Sequence, residues 1–202
     1  MPENTIIIFG LAGAGKSTLA RRLGAEFGLR VVHPSGVMRD LLEGREVQAD
    51  RSRANDGFWE TEEGAAILHG RLNEEVPVDV AANNILLQEV ERGEVVIDSW
   101  SLPWLTDKGT HIHLHAPLKV RAARAAARAG IEHRRALQLI RKKDEDTRQL
   151  FSRLYGFDIK NDERDFALTL DTTELTADEV FAVTRDFLLG LTRERKTPSH
   201  PE

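Results

Sequence analysis

Short apolar runs alternate with amphipathic stretches along this 202-residue chain. Thr5-Ile6-Ile7-Ile8-Phe9, Leu29-Arg30-Val31-Val32-His33, Glu94-Val95-Val96-Ile97-Asp98, His111-Ile112-His113-Leu114-His115 and Phe166-Ala167-Leu168-Thr169-Leu170-Asp171 read as strands. Most are continuously apolar, as expected of strands covered on both faces. Between them, helical spacing spans residues 16–27 up to Gly28, 37–42 after the stop at Pro34-Ser35-Gly36, and 78–91 closed by Arg92-Gly93. It resumes from Leu118, punctuated by Gly130, and again over 176–191. Residues 43–75 are polar and carry no strand pattern; Gly44, Gly57, Gly64 and Gly70 divide them into short helical pieces. Strands alternating with helices imply an α/β fold, a five-stranded parallel sheet with helices on both faces. Helical insertions at about 35–92 and about 121–160 would sit above the strands' C-terminal edge, where ligands bind in such sheets. The pattern predicts one domain over 1–192 and a flexible tail over 193–202.

The bulk properties narrow the setting. A formal net charge of -5 argues against a nucleic-acid binder. The absence of cysteine excludes disulfides and thiolate metal sites. No apolar stretch is of membrane-spanning length, and the N-terminal apolar run ends in a glycine-rich turn, not a signal-peptide cleavage site. The expectation is a cytoplasmic monomer without membrane or nucleic-acid partners.

That turn carries the candidate chemistry. Gly10-Leu11-Ala12-Gly13-Ala14-Gly15-Lys16-Ser17-Thr18 lies between the first strand and first helix, the context in which G-x-x-x-x-G-K-S cradles phosphates. Backbone N–H groups from Gly10, Gly13, Ala14, Gly15 and Thr18 and the helix dipole favour a polyphosphate there. Lys16 reaches the outer phosphates, and the Ser17 hydroxyl suits Mg²⁺. The predicted ligands are ATP and Mg²⁺. A regulatory GTPase would need N-K-x-D, which neither Lys142-Lys143-Asp144 nor Lys160-Asn161-Asp162 supplies. A small kinase needs an Arg-rich lid, and Arg121, Arg124, Arg128, Arg134, Arg135, Arg141, Lys142, Lys143 and Arg148 cluster after the fourth strand.

Together these segments resemble the cytidylate kinases, particularly the short archaeal type, within the nucleoside monophosphate kinases. The resemblance runs from about residue 5 to 190. It rests on the glycine loop, Ser35-Gly36-Val37-Met38-Arg39, Ala116-Pro117-Leu118-Lys119-Val120-Arg121, Asp144, Arg148, Tyr155-Gly156-Phe157-Asp158-Ile159 and Leu170-Asp171-Thr172-Thr173. It implies transfer of the γ-phosphoryl group of ATP to CMP, dCMP or a related nucleotide. By the same resemblance Ser35 and Arg39 hold the acceptor phosphate, with Asp144 and Arg148 on the acceptor side. Arg124, Arg128 and Arg141 act from the lid, and Thr172 lies near the adenine. The chain departs from that pattern after the third strand, where Asp98-Ser99-Trp100 replaces Glu-Gly-Arg, and in the helix before it, where Val78 to Asn84 carries no Arg.

Asp98 has two readings: a carboxylate that orients Mg²⁺, or a general base for a hydroxyl acceptor such as a nucleoside or small metabolite. A nucleotide-dependent switch with slow hydrolysis is a third class. Trp100 and Trp104 are candidates either for an apolar wall or for packing beneath a loop. His111, His113 and His115 share one strand face and span too far for one ion; they read as packed residues. Glu60, Glu62 and Glu63 near Trp59 read as a solvated surface, and Asp144, Glu145 and Asp146 as ion pairs along a helix.

Overall fold

The computed structural model describes residues 5–49, 54 and 57–194. Five strands, β1 (Thr5–Phe9), β2 (Arg30–Val32), β3 (Val95–Asp98), β4 (Thr110–His115) and β5 (Leu168–Asp171), form one parallel sheet in the order β2-β3-β1-β4-β5. Eight α-helices accompany them among the described residues: α1 (Lys16–Phe27), α2 (Pro34–Leu42), α3 (Glu62–Gly70), α4 (Val78–Arg92), α5 (Leu102–Leu105), α6 (Leu118–Ala129), α7 (His133–Tyr155) and α8 (Ala177–Glu194).

Alternation along β1 explains the layering. Ile6 and Ile8 pack with Leu19, Leu23, Val180 and Leu188 of α1 and α8, whereas Ile7 packs on the other face with Val37, Leu86 and Val90 of α2 and α4. All three isoleucines are fully buried, so neither sheet face tolerates a polar residue there. A third cluster joins Phe9 to Leu150, Phe151 and Phe157 and ties α7 to the sheet's C-terminal edge. The register sets Ile8 beside Asp98. The carboxylate at the end of β3 therefore stands next to the loop leaving β1.

The structure revises several expected boundaries. Pro34 ends β2 and also opens α2, because proline's fixed φ and missing N–H suit the first helical turn. The helix thus begins three residues before Val37 and includes Ser35. Phe166 leaves the strand to stack on Phe9 at 5.5 Å. Gly130, at φ 65°, ends α6. Thr192 to Glu194 continue α8; the rest of the expected tail lies outside the described residues. No described helix is long and apolar enough to cross a membrane.

Candidate active site

A cavity of about 610 Å³ opens at the C-terminal edge of the sheet, lined by the glycine loop, α2, α4, the end of β3, α6 and α7. The loop is shaped by contacts that only glycine permits. A Cβ on Gly13, at φ 80°, would overlap the Arg121 carbonyl oxygen, and one on Gly10 would meet the Leu114 carbonyl. Arg121 braces the same segment from behind. Its Nε donates to the Ala116 carbonyl at 3.0 Å, Nη1 to the Ala12 carbonyl at 3.0 Å, and Nη2 meets Asp144 at 2.9 Å. Asp144 therefore pairs between helices, not along one. Burial raises its pKa while Arg121 opposes the rise.

Lys16 is buried under this loop. Its ammonium donates to the Leu11 carbonyl at 3.3 Å and sits 5.3 Å from the Trp100 ring centroid. Burial lowers its pKa to about 8; Asp98 and Asp144 pull upward, and Lys143 and Arg128 push further down. The Ser17 hydroxyl donates to Asp98 Oδ2, and His33 Nδ1 lies 2.8 Å from Asp98 Oδ1. Hydroxyl and carboxylate are hard oxygen donors beside a backbone cradle, a set that fits Mg²⁺.

The predicted lid cations divide by helical face. Arg124 and Arg128, one turn apart on α6, both line the cavity, as does Lys143 on α7. Arg124 Nη1 donates to Thr172 Oγ1 at 3.0 Å and Nη2 to the Thr172 carbonyl, placing that threonine on the cavity wall. Arg128 meets Glu60 at 3.0 Å and Lys143 meets it at 3.8 Å. Burial is the main cause that lowers the Lys143 pKa, with Glu60 opposing. Glu60 is only 3% exposed; the expected solvated glutamates are thus corrected at this position, because two cations from α6 and α7 close over it. Glu62 and Glu63 are exposed, and Glu62 meets Arg135 at 3.1 Å.

Ser35 lines the cavity from α2, but Arg39, Arg141 and Arg148 do not. Arg39 lies 4.3 Å over the Phe58 ring and 3.0 Å from Glu43. Arg148 is held by Asp158 at 2.7 Å and Glu145 at 3.0 Å, and Arg141 is exposed. Trp100 lines the cavity, whereas Trp104 packs against Phe9 and Phe157 beneath it. His113 packs between Phe9 and Phe166, and His111 bonds to the Lys108 carbonyl at 3.1 Å.

At the far end stands a pair that sequence reading passed over. Arg71 Nη1 bonds to Asp79 Oδ1 and its Nε donates to the Leu68 carbonyl at 3.1 Å. Both residues line the cavity and are buried, and Asp79 Oδ2 has no hydrogen-bond partner among the described residues. Asn83 beside them accepts from Ser101 at 2.7 Å and donates to Tyr155 at 2.8 Å.

Residues 5–174 match the family model described as the cytidylate kinase-like family. Cytidylate kinase of Ignicoccus hospitalis is 32% identical over 190 residues, covering 91% of this chain and 98% of the relative. That of Aeropyrum pernix is 32% identical over 179 residues, covering 87% and 93%. Among solved structures, shikimate kinase from Acinetobacter baumannii in complex with shikimate matches with a TM-score of 0.54 at 16% identity, over 98% of this chain and 96% of that one. Deoxyadenosine kinase from M. mycoides with bound dATP matches at 0.52 and 15%, over 92% and 99%. At such identities these two speak for the fold alone. A match over most of the chain, on a cavity built around a phosphate loop, settles the assignment: the chain belongs to the cytidylate kinase-like family and is a P-loop kinase.

Proposed function

We propose that the protein transfers the γ-phosphoryl group of ATP to CMP or dCMP, as a Mg²⁺-dependent monomer in the cytoplasm. The observation that carries this reading is the continuity of one cavity from the glycine loop to the Arg71–Asp79 pair. One end suits a triphosphate and the other suits a base edge. Cytosine offers an amino donor at N4, flanked by the N3 and O2 acceptors. Asp79 Oδ2 is a buried acceptor in need of such a donor, and the Arg71 guanidinium carries donors for the neighbouring acceptors. Uracil would set a carbonyl oxygen against the carboxylate. Trp59, Leu68 and Met38 supply apolar surface around that end.

Phosphoryl transfer asks the protein for positioning and charge neutralisation more than for covalent chemistry. Lys16, Arg124, Arg128 and Lys143 face the phosphate path, and Ser35 orients the acceptor. Ser17 and Asp98 would hold Mg²⁺; when bound, the ion neutralises charge on the phosphate oxygens. Both Asp98 oxygens are engaged, by Ser17 and by His33, which favours metal orientation over a base for a hydroxyl acceptor. The residues of α6 and α7 form the lid, and the segment of about 35–92 the acceptor region. The monomer is supported by how few large apolar side chains are exposed among the described residues: Leu42 on α2, Val76 ahead of α4, and Val183 and Leu189 on α8.

The test is an ADP-release screen over nucleotides, nucleosides and phosphorylatable alcohols. CMP or dCMP should give the highest kcat/KM, and Asp79→Asn should shrink the CMP-over-UMP preference by about 10–100-fold. Faster ADP release with a nucleoside or alcohol than with any nucleotide would overturn the reading.

A further inference from the structure

His33 has no role of its own in the transfer described above, yet it is 4% exposed and bonded to the carboxylate at the centre of the site. Three adjacent strands end in a row. The first turn of α1, after the loop from β1, supplies Ser17, β3 supplies Asp98, and His33 follows β2 directly. Across that row the Ser17 hydroxyl binds one oxygen of Asp98, and His33 Nδ1 approaches the other at 2.8 Å. An ionised carboxylate only accepts, so the Nδ1 proton is donated to it.

The backbone on each side of this contact is itself fixed. The His33 backbone leaves β2 in an extended conformation, and its carbonyl accepts from the N–H groups of Gly36 and Val37 at 2.9 and 3.2 Å, opening α2. On the other side Asp98 is anchored through the neighbouring Ser99 N–H, which donates to the Ile8 carbonyl at 3.0 Å. With Ser17 alone the carboxylate could turn about its terminal bond or swing towards Lys16. The second hydrogen bond leaves one orientation, with Oδ2 towards Ser17.

We infer that His33 is the positioning residue for the metal-binding carboxylate: its Nδ1–H fixes Asp98 so that Oδ2 and the Ser17 hydroxyl present one preformed oxygen site for a divalent cation. The inference rests on the phosphate-loop reading of the site. It also gives α2 a second duty, because the helix that brings Ser35 to the cavity starts from the residue that orients the metal ligand. Partners of metal ligands tune affinity by fixing the ligand's direction, and losing one typically weakens binding about 10–100-fold.

The test compares the unaltered protein with His33→Ala and His33→Asn, using Mn²⁺ as probe and ADP as the nucleotide. Mn²⁺ held in the ADP complex is followed by electron paramagnetic resonance, and ADP binding in EDTA by calorimetry. His33→Ala should weaken Mn²⁺ retention about 10–100-fold while ADP affinity in EDTA stays within about twofold. Asn, whose side-chain amide donates from nearly the same place as Nδ1, should recover most of the loss. Mn²⁺ retention within about twofold of the unaltered protein in His33→Ala would overturn the inference. So would His33→Asn being as weak as His33→Ala, since that marks a merely structural role. Failure of the unaltered protein to bind ADP in EDTA would instead remove the phosphate-loop reading beneath it.

Discussion

Replacing Lys16 with methionine should make the protein more stable and nearly inactive. The ammonium is buried, and its pKa falls from 10.5 to about 8, a balance already struck between burial and the pull of Asp98 and Asp144. At 1.36 kcal/mol per unit, keeping the charge in the folded ligand-free protein costs about 3 kcal/mol at neutral pH. The sign follows from proton counts. Between pH 8 and 10.5 the unfolded chain holds the proton that the folded chain has released, so the unfolding free energy rises with pH across that window. Below it the penalty is present in full. Methionine keeps the chain length and removes the charge. Lys16→Met should therefore gain up to about 3 kcal/mol in urea unfolding near pH 7, seen as a higher midpoint at constant slope. The gain should shrink as the pH approaches 10.5. On the proposed function turnover should fall by about a thousandfold or more, since Lys16 would meet the charge that develops in transfer. A variant less stable than the unaltered protein at neutral pH, or a gap that does not narrow with rising pH, would refute the argument.

Two further outcomes bear on the same loop. Asp98→Asn should raise the Mg²⁺ requirement and reduce turnover modestly with a nucleotide acceptor, whereas near-total loss with a hydroxyl acceptor would identify a base. Gly13→Ala forces a Cβ onto the Arg121 carbonyl at a positive φ, so it should destabilise by about 1–3 kcal/mol in urea and abolish ATP binding in calorimetry. Unchanged binding would mean that the loop is not held against α6.

The strands were legible because Ile6-Ile7-Ile8 and Val95-Val96-Ile97 face packed helices on both sides, which leaves no alternation to mistake for a half-exposed sheet. The glycine loop was legible because its spacing follows from backbone geometry. Residues whose role depends on distant partners were harder. Glu60 sits among glutamates in a polar segment, and only Arg128 and Lys143, far along the chain, bury it. Arg71 and Asp79 come from two separate elements. Helical phase carried more than was taken from it. Lys143, Thr147 and Phe151 stand one turn apart and all line the cavity, whereas Arg141 and Arg148 fall off that face. The same count sets Arg124 and Arg128 inward on α6.

The distribution of buried carboxylates explains why so cationic a cavity folds at all. Arg71 is matched by Asp79, Arg128 and Lys143 share Glu60, Arg121 is matched by Asp144, and Asp98 supports Lys16. Each counter-charge is largely buried, where an unpaired ion would be far costlier than a paired one. Two of these carboxylates, Glu60 and Asp79, come from the segment between β2 and β3, and they face cations of α6, α7 and the Arg71 turn. Only the Glu60 pairs cross from that segment to α6 and α7; the Arg71–Asp79 pair stays within it. On the proposed function, an incoming triphosphate would meet cations already oriented, and its negative charge would restore to Lys16 the proton affinity that burial removed. The ligand would thus relieve the cost of burying the Lys16 and Lys143 charges, which would link nucleotide binding to stability.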